Sequence, residues 1–69
     1  MVEVFKTNVE LQEHATALLK ELSYKFPQIK INFDLEDCDR ILRVEGNSIV
    51  PHKIIETLNT KGYRCQVLE

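Results

Sequence analysis

The chain has no tryptophan, two glycines, two prolines and two cysteines, and neither sign of charge dominates. The cysteine count and the charge balance each remove a class of protein. Cys38 and Cys65 form no C-x-x-C pair, so neither a disulfide framework nor a zinc knuckle can be read from them, and free thiols are the simplest reading. With 9 basic and 11 acidic side chains interspersed, the net charge is -2. A nucleic-acid binder concentrates a basic excess on one face, so this balance argues against nucleic acid as a partner. No apolar run approaches the length needed to cross a bilayer, and no charged-then-apolar leader is present. A soluble, cytoplasmic domain without membrane insertion is the expectation.

Catalytic signatures are missing too. No Ser/His/Asp or Cys/His spacing has a third supporting group, and there is no glycine-rich phosphate loop. We therefore expect a protein that is not an enzyme. The acidic stretch EDCD, residues 36–39, lacks the spacing of a calcium-binding EF-hand and reads as a solvated turn.

What is there is period. Val2, Val4 and Phe5 suggest a strand near residues 2–6. Thr7 and Glu10 have the spacing of a capping box, and Leu11, Ala15, Leu18 and Leu22 then make the stripe of an amphipathic helix over roughly residues 9–25, closed by Pro27. Ile29, Ile31, Phe33 and Leu35 alternate with polar residues, the clearest strand pattern in the chain. Ile41, Leu42 and Val44 follow the EDCD turn as its hairpin partner. Pro51 opens a second helix over roughly residues 51–61, with Ile54, Ile55 and Leu58 as its apolar face, Lys61 in its last turn and Gly62 as a left-handed cap. Tyr63, Cys65 and Val67 alternate as a last strand.

Strand, helix, strand, strand, helix, strand within 69 residues predicts one α+β domain. The ferredoxin-like arrangement has a four-stranded antiparallel sheet in order 4-1-3-2 with two helices on one face. The residues Ile29, Ile31, Phe33 and Leu35 should then face Leu18, Leu22, Ile54 and Leu58. Tracing strand directions brings Thr7–His14, Cys38 and Lys61–Cys65 toward one end and leaves His52 at the other. Phe33, the one aromatic in the hairpin strands, faces the helices, which removes the stacking platform of an RNA-recognition sheet.

In this order and spacing, INFDLED (31–37), ILRVEG (41–46) and IIETLNTKGY (54–63) cover most of the pattern of a known family. The chain resembles the heavy-metal-associated domain of small copper chaperones and of the cytosolic modules of metal-pumping P-type ATPases. Counted from His14, Leu18 and Leu22 fall on the apolar positions that follow the second cysteine of that family's metal loop. The resemblance implies a C-x-x-C at residues 11–14, where two thiolates would hold Cu(I), or Zn(II) with further ligands. This chain has LQEH there. Leu11 coordinates nothing, so the paired-thiolate site is absent and no cofactor is expected.

The remaining candidates are weighed on their own chemistry. His14 is either a surviving nitrogen ligand or an ordinary surface histidine; Leu11 extends the core or forms an apolar patch at the domain tip. Cys65 is in phase with the core, where a thiol acts as a small hydrophobe. Cys38 lies among carboxylates, which disfavour a thiolate. Strands 1 and 2 are two places apart, so Cys38 should stand about 10 Å from the strand-1 loop, against zinc–ligand distances of about 2 Å. The leading expectation is a protein-interaction module with a degenerate metal loop at Leu11 and His14, neighboured by Lys61 and Tyr63. It would act through the loop end or an exposed strand edge on a protein partner, a second copy included. The alternative is a metal-binding protein that holds copper or zinc with His14 and either Cys38 or Cys65.

Overall fold

A computed structural model describes residues 1–68. It contains β1 (Val2–Thr7), α1 (Gln12–Lys25), β2 (Lys30–Asp34), β3 (Ile41–Glu45), α2 (Pro51–Thr60) and β4 (Cys65–Val67). All strand pairs are antiparallel, and the sheet runs β2-β3-β1-β4. This is the anticipated 4-1-3-2 order and the ferredoxin-like fold.

Alternation along the strands selects the covered face. Phe5, Thr7, Leu42, Val44 and Cys65 are buried, and they meet Ala15, Leu18 and Leu22 of α1 and Ile54 and Leu58 of α2 in one core. The two helices touch each other on this face. No helix among the described residues is long and apolar enough to cross a membrane. Ile29, Ile31, Phe33 and Leu35 pack against the core as their phase requires, yet all four are only half-buried. The reason is position: β2 is an edge strand, with β3 as its single neighbour among the described residues.

Two glycines have specific work. Gly62 ends α2 at φ 93, and the Tyr63 and Gly62 amides donate to the carbonyls of Leu58 (3.0 Å) and Asn59 (3.0 Å). That is the paired bonding of a Schellman cap, which favours a residue without a Cβ. Gly46 follows β3 and lies beside Ile29, whose Cγ2 would be 2.8 Å from an added Cβ. Pro51 takes the first turn of α2 as its fixed φ allows.

The start of α1 departs from expectation. The helix begins at Gln12, not near residue 9, with Leu11 as an extended N-cap that makes no side-chain cap bond. Thr7 does not form a capping box with Glu10. It belongs to β1, where its hydroxyl donates to the Arg40 carbonyl (2.6 Å) and accepts from the Val9 amide (3.2 Å). Thr7 is buried, so this hydroxyl is committed to satisfying backbone groups nearby rather than a helix terminus. Val9, fully buried, takes the core position that the apolar stripe assigned to Leu11. The last strand is also shorter than the alternation suggested, since Tyr63 and Arg64 are taken up in leaving the Schellman cap.

Candidate functional site at the loop end

The β1–α1 loop, the β2–β3 turn and the α2–β4 loop do share one end of the domain, and hydrogen bonds tie them together. The Thr7 amide donates to the Asp39 carbonyl (3.1 Å), and the Arg64 amide donates to Asn8 Oδ1 (2.8 Å). Lys6 Nζ stands 3.7 Å from Asp39 Oδ1. The turn is therefore not held two strands away from β1, as simple strand counting suggested. Its second half leads into β3, which is β1's direct neighbour, and it folds against the end of β1.

The turn itself is built from its acidic residues. Asp34 Oδ1 accepts from the Glu36 amide (3.3 Å) and Asp37 Oδ1 from the Asp39 amide (2.9 Å), two Asx turns in succession. Arg40 closes it in the left-handed region at φ 48, with its guanidinium donating to the Leu35 carbonyl. Because the Arg40 carbonyl also receives the Thr7 hydroxyl, the unusual backbone is held from both sides.

Across the loop end, Leu11 and His14 carry different surfaces. Leu11 is 50 % exposed at the head of α1. This places it at the domain tip rather than in the core. His14, one turn on, is exposed and meets the ring of Tyr63, with centroids 6.0 Å apart and planes tilted by 57°. Aromatic pairs favour such tilted contacts. Lys61 Nζ lies 2.9 Å from Glu21 Oε1, and Lys25 reaches the other Glu21 oxygen at 3.6 Å. The Lys61 hydrogen bond, with both ammonium charges, holds the Glu21 carboxyl below its ordinary range. His14, Ala17, Leu18, Glu21, Lys61 and Tyr63 line one hollow of about 200 Å³ between α1 and the end of α2. Lys61 and Tyr63 thus do neighbour His14. Glu21 was not singled out beforehand, because its two lysine partners, four residues on and at the far end of the chain, become a cluster only through the packing of α1 on α2.

The thiols go elsewhere. Cys65 is buried opposite Thr7, and burial pushes its thiol up to about 12, so it stays protonated near neutrality. Cys38 is exposed in the turn. Among the described residues, the single group of three or more His, Cys, Asp or Glu side chains with ligand atoms mutually within 4.8 Å is Asp37, Cys38 and Asp39. It includes neither His14 nor Cys65. Exposed carboxylates commonly stand this close without an ion, and Asp37 is already engaged by the Asp39 amide. His14, Cys38 and Cys65 do not converge on one ligand set in this conformation.

No family model matches the chain, and no curated protein matches it either.

Proposed function

We propose that the chain is a domain of heavy-metal-associated type whose metal loop has lost its ligands and that it acts by contact with another protein. The observation that carries this reading is the chemistry of residues 11 and 14. Where the resemblance calls for two soft sulfurs on a loop, there is a half-exposed hydrocarbon at Leu11 and an imidazole at His14 resting on Tyr63. A half-exposed leucine at the head of α1, one turn before the His14–Tyr63 contact, suits an apolar anchor with a polar rim, the usual composition of a recognition surface. A partner from a copper or heavy-metal trafficking route, a cytoplasmic location and the lack of any catalytic role belong to the same proposal.

The test is competition for Cu(I). The reduced protein should yield Cu(I) to a strong chelator, since neither Leu11 nor His14 supplies a thiolate, Cys65 would have to leave the core, and Cys38 stands alone in an acidic turn. Leu11→Cys combined with His14→Cys should restore retention, because the loop's placement at the head of α1 remains. Stoichiometric Cu(I) or Zn(II) on the unmodified protein, lost with His14→Ala, would overturn the reading in favour of a metal-binding protein.

A further inference from the structure

The sheet has two edges, β2 and β4. β4 is three residues long and carries no pair of opposite charges. β2 is longer, and its outward backbone donors and acceptors have no partner among the described residues. An unpaired edge is a template for another strand, and soluble proteins normally blunt it with charge, proline or a bulge. The five residues of β2, KINFD, carry charge in an unusual pattern: Lys30 at one end, Asp34 at the other and Asn32 midway. All three are exposed, while Ile31 and Phe33 between them are half-buried on the helix side. Neither Lys30 nor Asp34 takes part in an ion pair among the described residues.

We infer that β2 pairs antiparallel with β2 of a second copy of this chain, about a two-fold axis through Asn32. In that register Lys30 of each copy lies opposite Asp34 of the other, and Ile31 lies opposite Phe33. Two opposite-charge pairs form on the open face of the sheet, and two aliphatic–aromatic pairs form on the helix face, both favourable kinds of cross-strand neighbour. The apolar residues that the edge leaves half-exposed are covered, and the two four-stranded sheets become one sheet of eight. Other registers do worse. A slip of one residue exchanges the faces. A slip of two sets Lys30 or Asp34 opposite the uncharged Asn32. The contact is isologous and closes at two chains, which a two-fold requires. It uses neither the β1–α1 loop nor any metal chemistry, so it goes beyond the proposed function and stands or falls separately.

Sedimentation equilibrium over a range of concentrations, up to those of an NMR sample, tests this with charge exchange. The parent should reach twice the chain mass at high concentration. Lys30→Asp sets two carboxylates opposite each other in both pairs, and Asp34→Lys sets two ammonium groups opposite each other. Each should weaken association by roughly tenfold or more, because two attractive pairs become two repulsive ones. The double exchange, Lys30→Asp with Asp34→Lys, should restore the dimer. A mixture of the two single variants should form a heterodimer that neither forms alone. Circular dichroism melts confirm that each variant is folded, which matters for Asp34→Lys because Asp34 also accepts from the Glu36 amide. A parent that remains monomeric throughout would overturn the inference and leave Lys30 and Asp34 as edge guards. So would folded variants that dimerise like the parent, or a folded double exchange that stays monomeric.

Discussion

The contact between Gly46 and Ile29 allows a stability change to be worked out before it is measured. Replacing Gly46 by Ala puts a methyl 2.8 Å from Ile29 Cγ2, whereas nonbonded carbons settle about 3.5–4.0 Å apart. Ile29 cannot simply turn aside: Cγ2 hangs directly from a branched Cβ, whose χ1 is stiff, and leaving its well costs about 0.5–1.5 kcal/mol. Overpacking of this kind costs about 1–3 kcal/mol. Gly46 does not sit in the left-handed region, so alanine there also restricts the unfolded chain, a gain of about 0.4–1 kcal/mol. The balance is a loss of about 1–2 kcal/mol, or about 4–15 °C in Tm for a domain of this size. Urea denaturation followed by circular dichroism measures it, and a double-mutant cycle assigns the cause. In an Ile29→Ala background the obstructing methyl is gone, so Gly46→Ala should be neutral or slightly stabilising, with a coupling of about 1–2 kcal/mol between the sites. An unchanged or raised stability for Gly46→Ala alone would refute the steric argument, as would an equal loss in both backgrounds.

Leu22→Ala and Ile54→Ala each open a cavity in the shared core and should cost about 2–5 kcal/mol by the same assay. A chain of 69 residues commands roughly 3–10 kcal/mol in all, so loss of cooperative melting is within range. For the thiols, a chromogenic disulfide reagent should modify the exposed Cys38 well ahead of Cys65, which should react only at the rate of unfolding. Because burial raises the Cys65 thiol from 9.0 to about 12, the unfolded chain loses that proton first. The contribution is complete below pH 9, declines as pH rises toward 12, and should vanish from the alkaline melting curve of Cys65→Ala.

What could be read in advance was whatever repeats locally. The spacing of Ala15, Leu18 and Leu22 in α1, the alternation of β2 and the Pro51 and Gly62 boundaries of α2 each follow from one element's own geometry, and together they were enough to order the sheet. The head of α1 was not legible for the opposite reason. Thr7 and Glu10 match a capping box in spacing, but Thr7 lies in β1, where its hydroxyl accepts from the Val9 amide rather than from Glu10 and donates to the Arg40 carbonyl across the chain. The helix starts instead at Gln12, with Val9 inside the core and Leu11 outside it. At the candidate site, the shared end of Leu11, His14, Lys61 and Tyr63 was traceable from strand directions. The His14–Tyr63 contact and the role of Glu21 depend on how α1 lies against the end of α2, which no spacing encodes.

The place of β1 in the sheet has a kinetic consequence. It is an inner strand, and both neighbours come from far along the chain: Val4 lies opposite Arg43 and Thr7 opposite Cys65. The β2–β3 hairpin closes a short loop and can form early, but β4 has no neighbour other than β1 among the described residues. Half the sheet therefore waits for the longest loop closures in the molecule, whose entropic cost precedes any reward. Until β1 inserts, the inner edge of β3 stands open and β4 has nothing to pair with. Chains that meet during this interval can donate β1 to one another, so the rate of β1 insertion governs how cleanly a concentrated solution refolds.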